Sequence, residues 1–352
     1  MKLGFQLGHW GKDTRLGGSE LLPHQAVDKL KEAESWGCSS VWVPESYFAE
    51  AFTFLSWIGA NTKRMQLGSC VIPIQARTPV NCAQSALTLD HLSGGRVMVG
   101  LGVTSINVAE GWYGQPFDRP LARTREYLSV MRAVLSGERP ENAQGEFYKL
   151  PVQGGVGSQT RALKSPVRPY RSDLPVLLGA IGPRNTVLAA EIADGWLPAF
   201  FIPEQAAEYK ALLDEGFARP GARRSWRDFM VAGPVSVVVD DDLQRAANRI
   251  RQSILYLITV MGSEERNFQA ELFARAGFEA ETNKARSLAR EGRAEEALAA
   301  IPLAMVDAVA LVGPRARVRD NLARWTSTYL THLVVRGSFD SLRAVAEIGA
   351  FD

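Results

Sequence analysis

The feature that most constrains this chain is a beat: a short apolar run, then a helical stretch, about eight times in one series. Residues 2–7 open it, followed by the loop 11–20 and a helix over 23–36 with Ala26, Leu30 and Ala33 at helical spacing. Further strands are expected at "SSVWV" (39–43), 65–71, "RVMVGLG" (96–102), "LPVLLGA" (174–180), "DGWLP" (194–198), "VAGPVSVVV" (231–239) and "THLVVRG" (331–337). Helices are expected over 51–61, 79–92, 121–136 and 183–193, from near 241, and over 314–326. Eight βα units in one series predict an α/β fold, a closed (β/α)8 TIM barrel with insertions. A doubly wound open sheet is the alternative. Its first turn would carry a Gly-rich phosphate loop, where this chain reads "QLGHWGKD".

The 352 residues fit one barrel domain over 1–352. Two stretches break the beat. Residues 137–173, with "GEFYKL" and "QGGVGSQ", predict a small hairpin and a flexible loop. Residues 262–300, rich in Ala, Glu and Arg, predict a helical insertion near the C-terminal face of the strands. Loop insertions on that face are where such barrels build specificity.

Composition narrows the partners. With 40 basic against 38 acidic residues the net charge is +2, without a long basic run, so nucleic acid is not expected. No run reaches the roughly 18 to 20 apolar residues of a membrane span. Cys38, Cys70 and Cys82 lack metal-ligand spacing and are too few for a disulfide framework. The N-terminus "MKLGFQLGHW" has no apolar leader core, so a cytoplasmic protein is expected.

In such a barrel the residues just after each strand report on the site. Here they are His9 and Trp10; Glu45, Ser46, Tyr47 and Phe48; Ser69, Cys70 and Val71; Gly102, Val103, Thr104 and Ser105; and Gly179, Ala180, Ile181, Gly182 and Pro183. That rim is aromatic and small-sided with few charges. It suits a flat, largely uncharged ring, and no metal is expected. "GAIGPRN" opens a helix on Pro183, leaving amides that suit a phosphate, although a plain tight turn fits the same residues. Trp10, Tyr47, Trp112 and Phe200 are candidate walls of a substrate pocket. His9, which titrates near neutrality, is the leading candidate proton donor, with Glu45 and Tyr47 as alternatives.

Four segments in order, "TLDHLSGGRVMVGLGV", "EGWYGQPFDRPLARTREYL", "AEIADGWLP" and "VALVGPRARVRDNLARW", give the chain a resemblance. It resembles the bacterial-luciferase-like superfamily, within it the F420-dependent oxidoreductases related to methylenetetrahydromethanopterin reductase. The resemblance implies hydride transfer between the deazaflavin ring of coenzyme F420 and a small organic substrate with a C=O, C=C or C=N bond. FMN-dependent monooxygenation and non-catalytic flavin binding are the alternatives, and a homodimer is implied.

The resemblance also bears on "LGSCVIPIQARTP" (67–79), a strand that turns irregular before it ends. In this family the third strand ends in a bulge with a non-prolyl cis peptide that supports the ring, by position Cys70–Val71, with Ser69 beside it. Glu45 stands where relatives often place Asp, near the polar edge of the ring. Gly102 and Val103 would pass beside the ring, and Gly179 through Pro183 would cradle the phosphate. The chain departs from the sugar-phosphate dehydrogenases of the superfamily. Ser105 stands where those carry a catalytic Glu, and Ser46 with Tyr47 and Phe48 where they pair His and Trp.

Overall fold

The computed structural model describes residues 1–10, 21–47, 49–140, 145–152, 156, 161–261 and 267–351. Among the described residues there are ten parallel strands: β1 (Lys2–Gln6), β2 (Cys38–Val43), β3 (Gln66–Ser69), β4 (Ile72–Pro73), β5 (Val97–Gly102), β6 (Val176–Gly179), β7 (Gly195–Leu197), β8 (Met230–Val239), β9 (Ala310–Gly313) and β10 (His332–Gly337). The order β10-β1-β2-β3-β5-β6-β7-β8 closes through a β8–β10 pairing, giving an eight-stranded barrel, with β4 extending the third position. Closure rules out the doubly wound sheet.

Two details differ from expectation. The third strand does not run from 65 to 71. It pairs with β5 as Leu67↔Val97 and Gly68↔Met98, then resumes in β4 as Ile72↔Leu101. The offset falls from 30 (97 − 67) to 29 (101 − 72), so one extra residue bulges out between the halves. The bond Cys70–Val71 is cis, so the bulge and the cis bond stand where the resemblance implies them and only the strand's limits differ. The second difference is β9, which lies in "VALVGP" and pairs with the far half of β8 from Ser236↔Ala310 to Val239↔Gly313. The ten residues of β8 are long enough to serve β7 at one end of an edge and β9 at the other.

The helices start where local chemistry permits. Pro79–Ser93 opens on Thr78, whose hydroxyl accepts from the Asn81 amide at 3.2 Å, with Pro79 in the first turn. It stops at Gly94 in the left-handed region, φ 68°. Ala51–Asn61 is capped by Glu50, whose carboxylate accepts from the Phe52 and Thr53 amides.

Inside the barrel the indole of Trp42 is fully buried with Met98, Leu177, Leu197, Ala232 and Val334. The neighbouring strands make room for it: a Cβ on Gly4 would stand 3.0 Å from its Nε1, and one on Gly68 would overlap the ring. Strand side chains pack outward against the helices in a second, larger core. Among the described residues of 137–173 there is an isolated bridge at Lys149 and no two-stranded hairpin; "QGGVGSQ" lies outside the described residues apart from Val156. Within 262–300 the described part is helical, with Phe268–Phe273, Glu279–Arg290 and Ala294–Ala299, and a widened turn at Ala274–Phe278 where Gly277 takes φ 90°.

Candidate functional site

A cavity of about 970 Å³ opens at the C-terminal ends of the strands. Its floor is the strand break. Where β3 lets go of β5, the Ser69 hydroxyl donates to the Gly100 carbonyl at 3.0 Å and accepts from the Gly100 amide at 2.8 Å. These bonds stand in for the missing backbone ladder. Val71 then turns toward β5 and β6. A Cβ on Gly102 would lie 2.7 Å from Val71 Cγ2, and one on Gly179 2.8 Å from Val71 Cγ1. Both positions are glycine because the valine already fills the space. A backbone ledge with a smooth apolar surface results.

Beside the ledge, Gly182 opens the helix Pro183–Ile192 without a side-chain cap, and the space where its Cβ would stand is empty. The helix start through Asn185 lines the cavity. Amides at an uncapped N-terminus favour an anion.

Glu45 also lines the cavity, 7 % exposed, accepting from the Ala51 amide at 2.9 Å and ion-paired with Arg77. Burial pushes its pKa above the ordinary glutamate value, against the pull of Arg77 and the amide. Arg77 also reaches Glu50, and the two carboxylates raise its pKa against the opposing effect of burial. Burial pushes the Cys70 thiol, also on the wall, up to about 12.

The remaining charged lining is uneven. Arg184, Glu271 and Arg275 are exposed, and Arg119, also exposed, pairs with Asp118 and Glu146. Arg336, at the end of β10, is different. Its Nε donates to Gln6 Oε1 at 2.7 Å and its Nη1 to the Ala199 carbonyl at 2.8 Å. Burial holds its pKa below the usual arginine value, with the Cys70 thiol the opposing influence.

Of the residues singled out from sequence, Glu45, Cys70, Val71, Val103 and the run Gly179, Ala180, Ile181, Gly182 and Pro183 line this cavity. Ser69 and Gly102 lie in the strands that support it. His9, Trp10, Tyr47, Trp112 and Phe200 are not in the lining. Trp10 is 42 % exposed and meets Phe54 edge-on at 5.1 Å. Trp112 is 64 % exposed near Tyr47, whose hydroxyl lies 3.4 Å from that of Tyr256. Phe200 is buried against Phe273. Phe48 is outside the described residues. The aromatic walls are instead Trp42, Phe117 and Phe268. Sequence reasoning also passed over Gln6 and Arg336. The available signal was a polar residue after an apolar run near the C-terminal end of each of two strands, "KLGFQ" and "HLVVRG".

Known proteins are similar to this chain. A Mycobacterium tuberculosis protein named as a coenzyme F420-dependent oxidoreductase is 44% identical over 350 residues, 99% of both chains. The 5,10-methylenetetrahydromethanopterin reductase of Archaeoglobus fulgidus is 28% identical over 66% of this chain and 68% of its own. Among solved structures, the coenzyme F420-dependent tetrahydromethanopterin reductase of Methanopyrus kandleri superposes with a TM-score of 0.75 at 20% identity, covering 99% of this chain and 98% of that one. At that identity the superposition speaks for the fold. The family model of the luciferase-like monooxygenases matches residues 7–332. With that match and a relative 44% identical along nearly its whole length, this chain belongs to the luciferase-like family.

Proposed function

We propose that the chain is an F420-dependent oxidoreductase that exchanges a hydride with a small organic substrate. The observation that carries the reading is the joint geometry of ledge and helix start: Val71 seated against Gly102 and Gly179, beside the uncapped amides at Gly182. A planar tricyclic ring fits the ledge, and its phosphate fits the amides. The name of the 44% identical relative supports the deazaflavin over a flavin.

The residues that would hold the cofactor are Glu45 at the polar edge, Cys70, Val71, Gly102 and Val103 along the ring, and Gly179 through Pro183 around the phosphate. When bound, the deazaflavin supplies two electrons and a proton as hydride at one ring carbon. The chain's share is positioning and exclusion of water. Trp42, Phe117 and Phe268 wall the cavity with apolar surface, so a substrate entering it would be stripped of water and held against that surface. Of His9, Glu45 and Tyr47, Glu45 is the one on the wall, and its raised pKa brings it nearer to neutrality, as a proton carrier requires. We assign it that role alongside its hold on the ring.

A homodimer in the cytoplasm belongs to the same reading. Exposed Trp57 and Leu92, on the neighbouring helices Ala51–Asn61 and Pro79–Ser93, support a self-association face, and three free cysteines support a reducing compartment.

Titration of purified protein with F420 and with FMN, followed by tryptophan fluorescence, tests the cofactor assignment. Quenching by F420 at micromolar concentration is expected. Preference for FMN would make the chain a flavin enzyme instead, and binding of neither would end the assignment. Light scattering reads the dimer.

A further inference from the structure

The cavity holds a half-buried charge that the reading above leaves unused. Arg336 sits at the barrel mouth on the last strand, among Gln6, Cys70 and Ala199. Among the described residues no carboxylate comes within ion-pairing distance of it, whereas Glu45 is satisfied by Arg77 and Arg119 by Asp118 and Glu146. Its two protein acceptors are neutral: a side-chain amide at Nε and a backbone carbonyl at Nη1. Nη2, on a side chain that lines the cavity, has no protein acceptor among the described residues. A largely enclosed cation with only neutral partners is costly for a protein to keep, and the two bonds it does make fix the plane of the guanidinium. Such an arrangement is preorganised to receive a lone pair or a negative charge.

We infer that Arg336 binds the oxygen of a carbonyl substrate through Nη2 and stabilises the oxyanion that forms as hydride arrives. The inference rests on the proposed hydride transfer and narrows its substrate to one class. A guanidinium stays protonated, so it cannot serve as the acid; it can only donate hydrogen bonds and charge. An isolated C=C bond offers it no acceptor. A protonated imine is a cation and is repelled. A ketone, aldehyde or conjugated enone presents an oxygen whose negative charge grows along the reaction. In the simple carbonyl, hydride bonds to carbon, the π pair moves onto oxygen, and a proton from an acid or solvent completes the alcohol. In the enone, hydride bonds to the β carbon, the electrons reach the same oxygen as an enolate, and protonation at carbon gives the saturated ketone. In both, the deazaflavin gives up two electrons and the substrate gains them.

The first test is equilibrium binding of benzoate, a stable oxyanion, with benzylammonium as its cationic counterpart, read by tryptophan fluorescence on the F420-loaded protein and on the cofactor-free chain. Benzoate should bind and benzylammonium should not. R336Q should weaken benzoate by roughly tenfold or more, the size of one charge-assisted hydrogen bond, and R336K should recover part of the loss. Equal binding of the two probes, or of benzoate to wild type and R336Q, overturns the inference. The comparison of probes on wild type needs no variant, so poor folding of R336Q cannot shelter it. Product analysis separates the two sources of the carbonyl oxygen: alcohol from ketones, saturated ketone from enones, both slowed in R336Q. Turnover of protonated imines unchanged by R336Q also overturns it. Failure of F420 to bind wild type removes the proposed function, while the benzoate result on the cofactor-free chain still stands or falls by itself.

Discussion

Val71 and Gly102 share one space: the Cγ2 methyl of the valine lies 2.7 Å from where a Cβ on the glycine would be. Gly179 bears the same relation to the other methyl at 2.8 Å. The ledge at the barrel mouth is therefore a three-residue fit across three strands, and it gives a graded prediction. Gly102→Ala should cost about 1–3 kcal/mol as an overpacked site and weaken F420 binding. Adding Val71→Ala should return much of that stability, since the neighbour that gives way is then gone. Gly100→Ala has no such rescue, because its Cβ would overlap the Ser69 backbone carbonyl. Denaturant midpoints and F420 titrations of the wild type, the three single variants and the 71/102 double variant check this; additive losses in the double variant would show that the two residues do not compete for space.

Glu45 provides a kinetic prediction. With a raised pKa, the protonated carboxyl is present at low pH and lost as pH rises through that pKa. Substrate reduction should therefore decline on the alkaline side of the profile. Glu45→Gln should lower kcat by about 10²-fold and remove that alkaline limb. A pH–rate profile with the limb intact in the variant would take Glu45 out of proton transfer.

His332 begins β10 inside the barrel, its Nδ1 2.9 Å from the Thr331 hydroxyl. Burial, with Lys2 and the N-terminus, depresses its pKa to about 4. The folded state thus holds the ring neutral while the unfolded chain takes up a proton near pH 6.5. The contribution is fully present above pH 6.5 and is lost as pH falls toward about 4, amounting to about 3 kcal/mol at the acid end. Urea unfolding between pH 7 and pH 4 should show this slope in the wild type, and His332→Gln should flatten it.

Asp194 acts at the other end of the barrel from the cavity. Its carboxylate accepts from the Val176 amide at 2.9 Å and from Arg132, Arg223 and Arg224 at 2.7 to 3.0 Å. Burial alone would raise its pKa, but Arg132, the amide and Arg223 outweigh it and lower it. Its contribution is present above the unfolded carboxylate value and lost as pH falls through the lowered one, below the His332 window. Asp194→Ala leaves Arg132 without a carboxylate, while Arg223 and Arg224 keep Asp173 and Asp228, and should cost about 3–5 kcal/mol with F420 affinity unchanged. A shift in F420 affinity would show coupling between the two ends of the barrel.

Sequence alone set the architecture. Period and length of the apolar runs counted out the eight units, and Pro79 marked a helix start that the structure keeps. Those signals are local, each written within a few residues of its effect. The break at Ser69 to Val71 was also legible, because small and polar residues interrupt an apolar strand.

Tertiary structure alone decided which side chains share the cavity. Trp10 and Trp112 follow strands yet lie exposed, and Phe200 is drawn into a helix-packed core, whereas Gln6, Trp42 and Arg336 come together from β1, β2 and β10. In a barrel the last strand closes beside the first, so Gln6 and Arg336 are hydrogen-bonded neighbours 330 positions apart. No local pattern carries that proximity; closure of the sheet creates it.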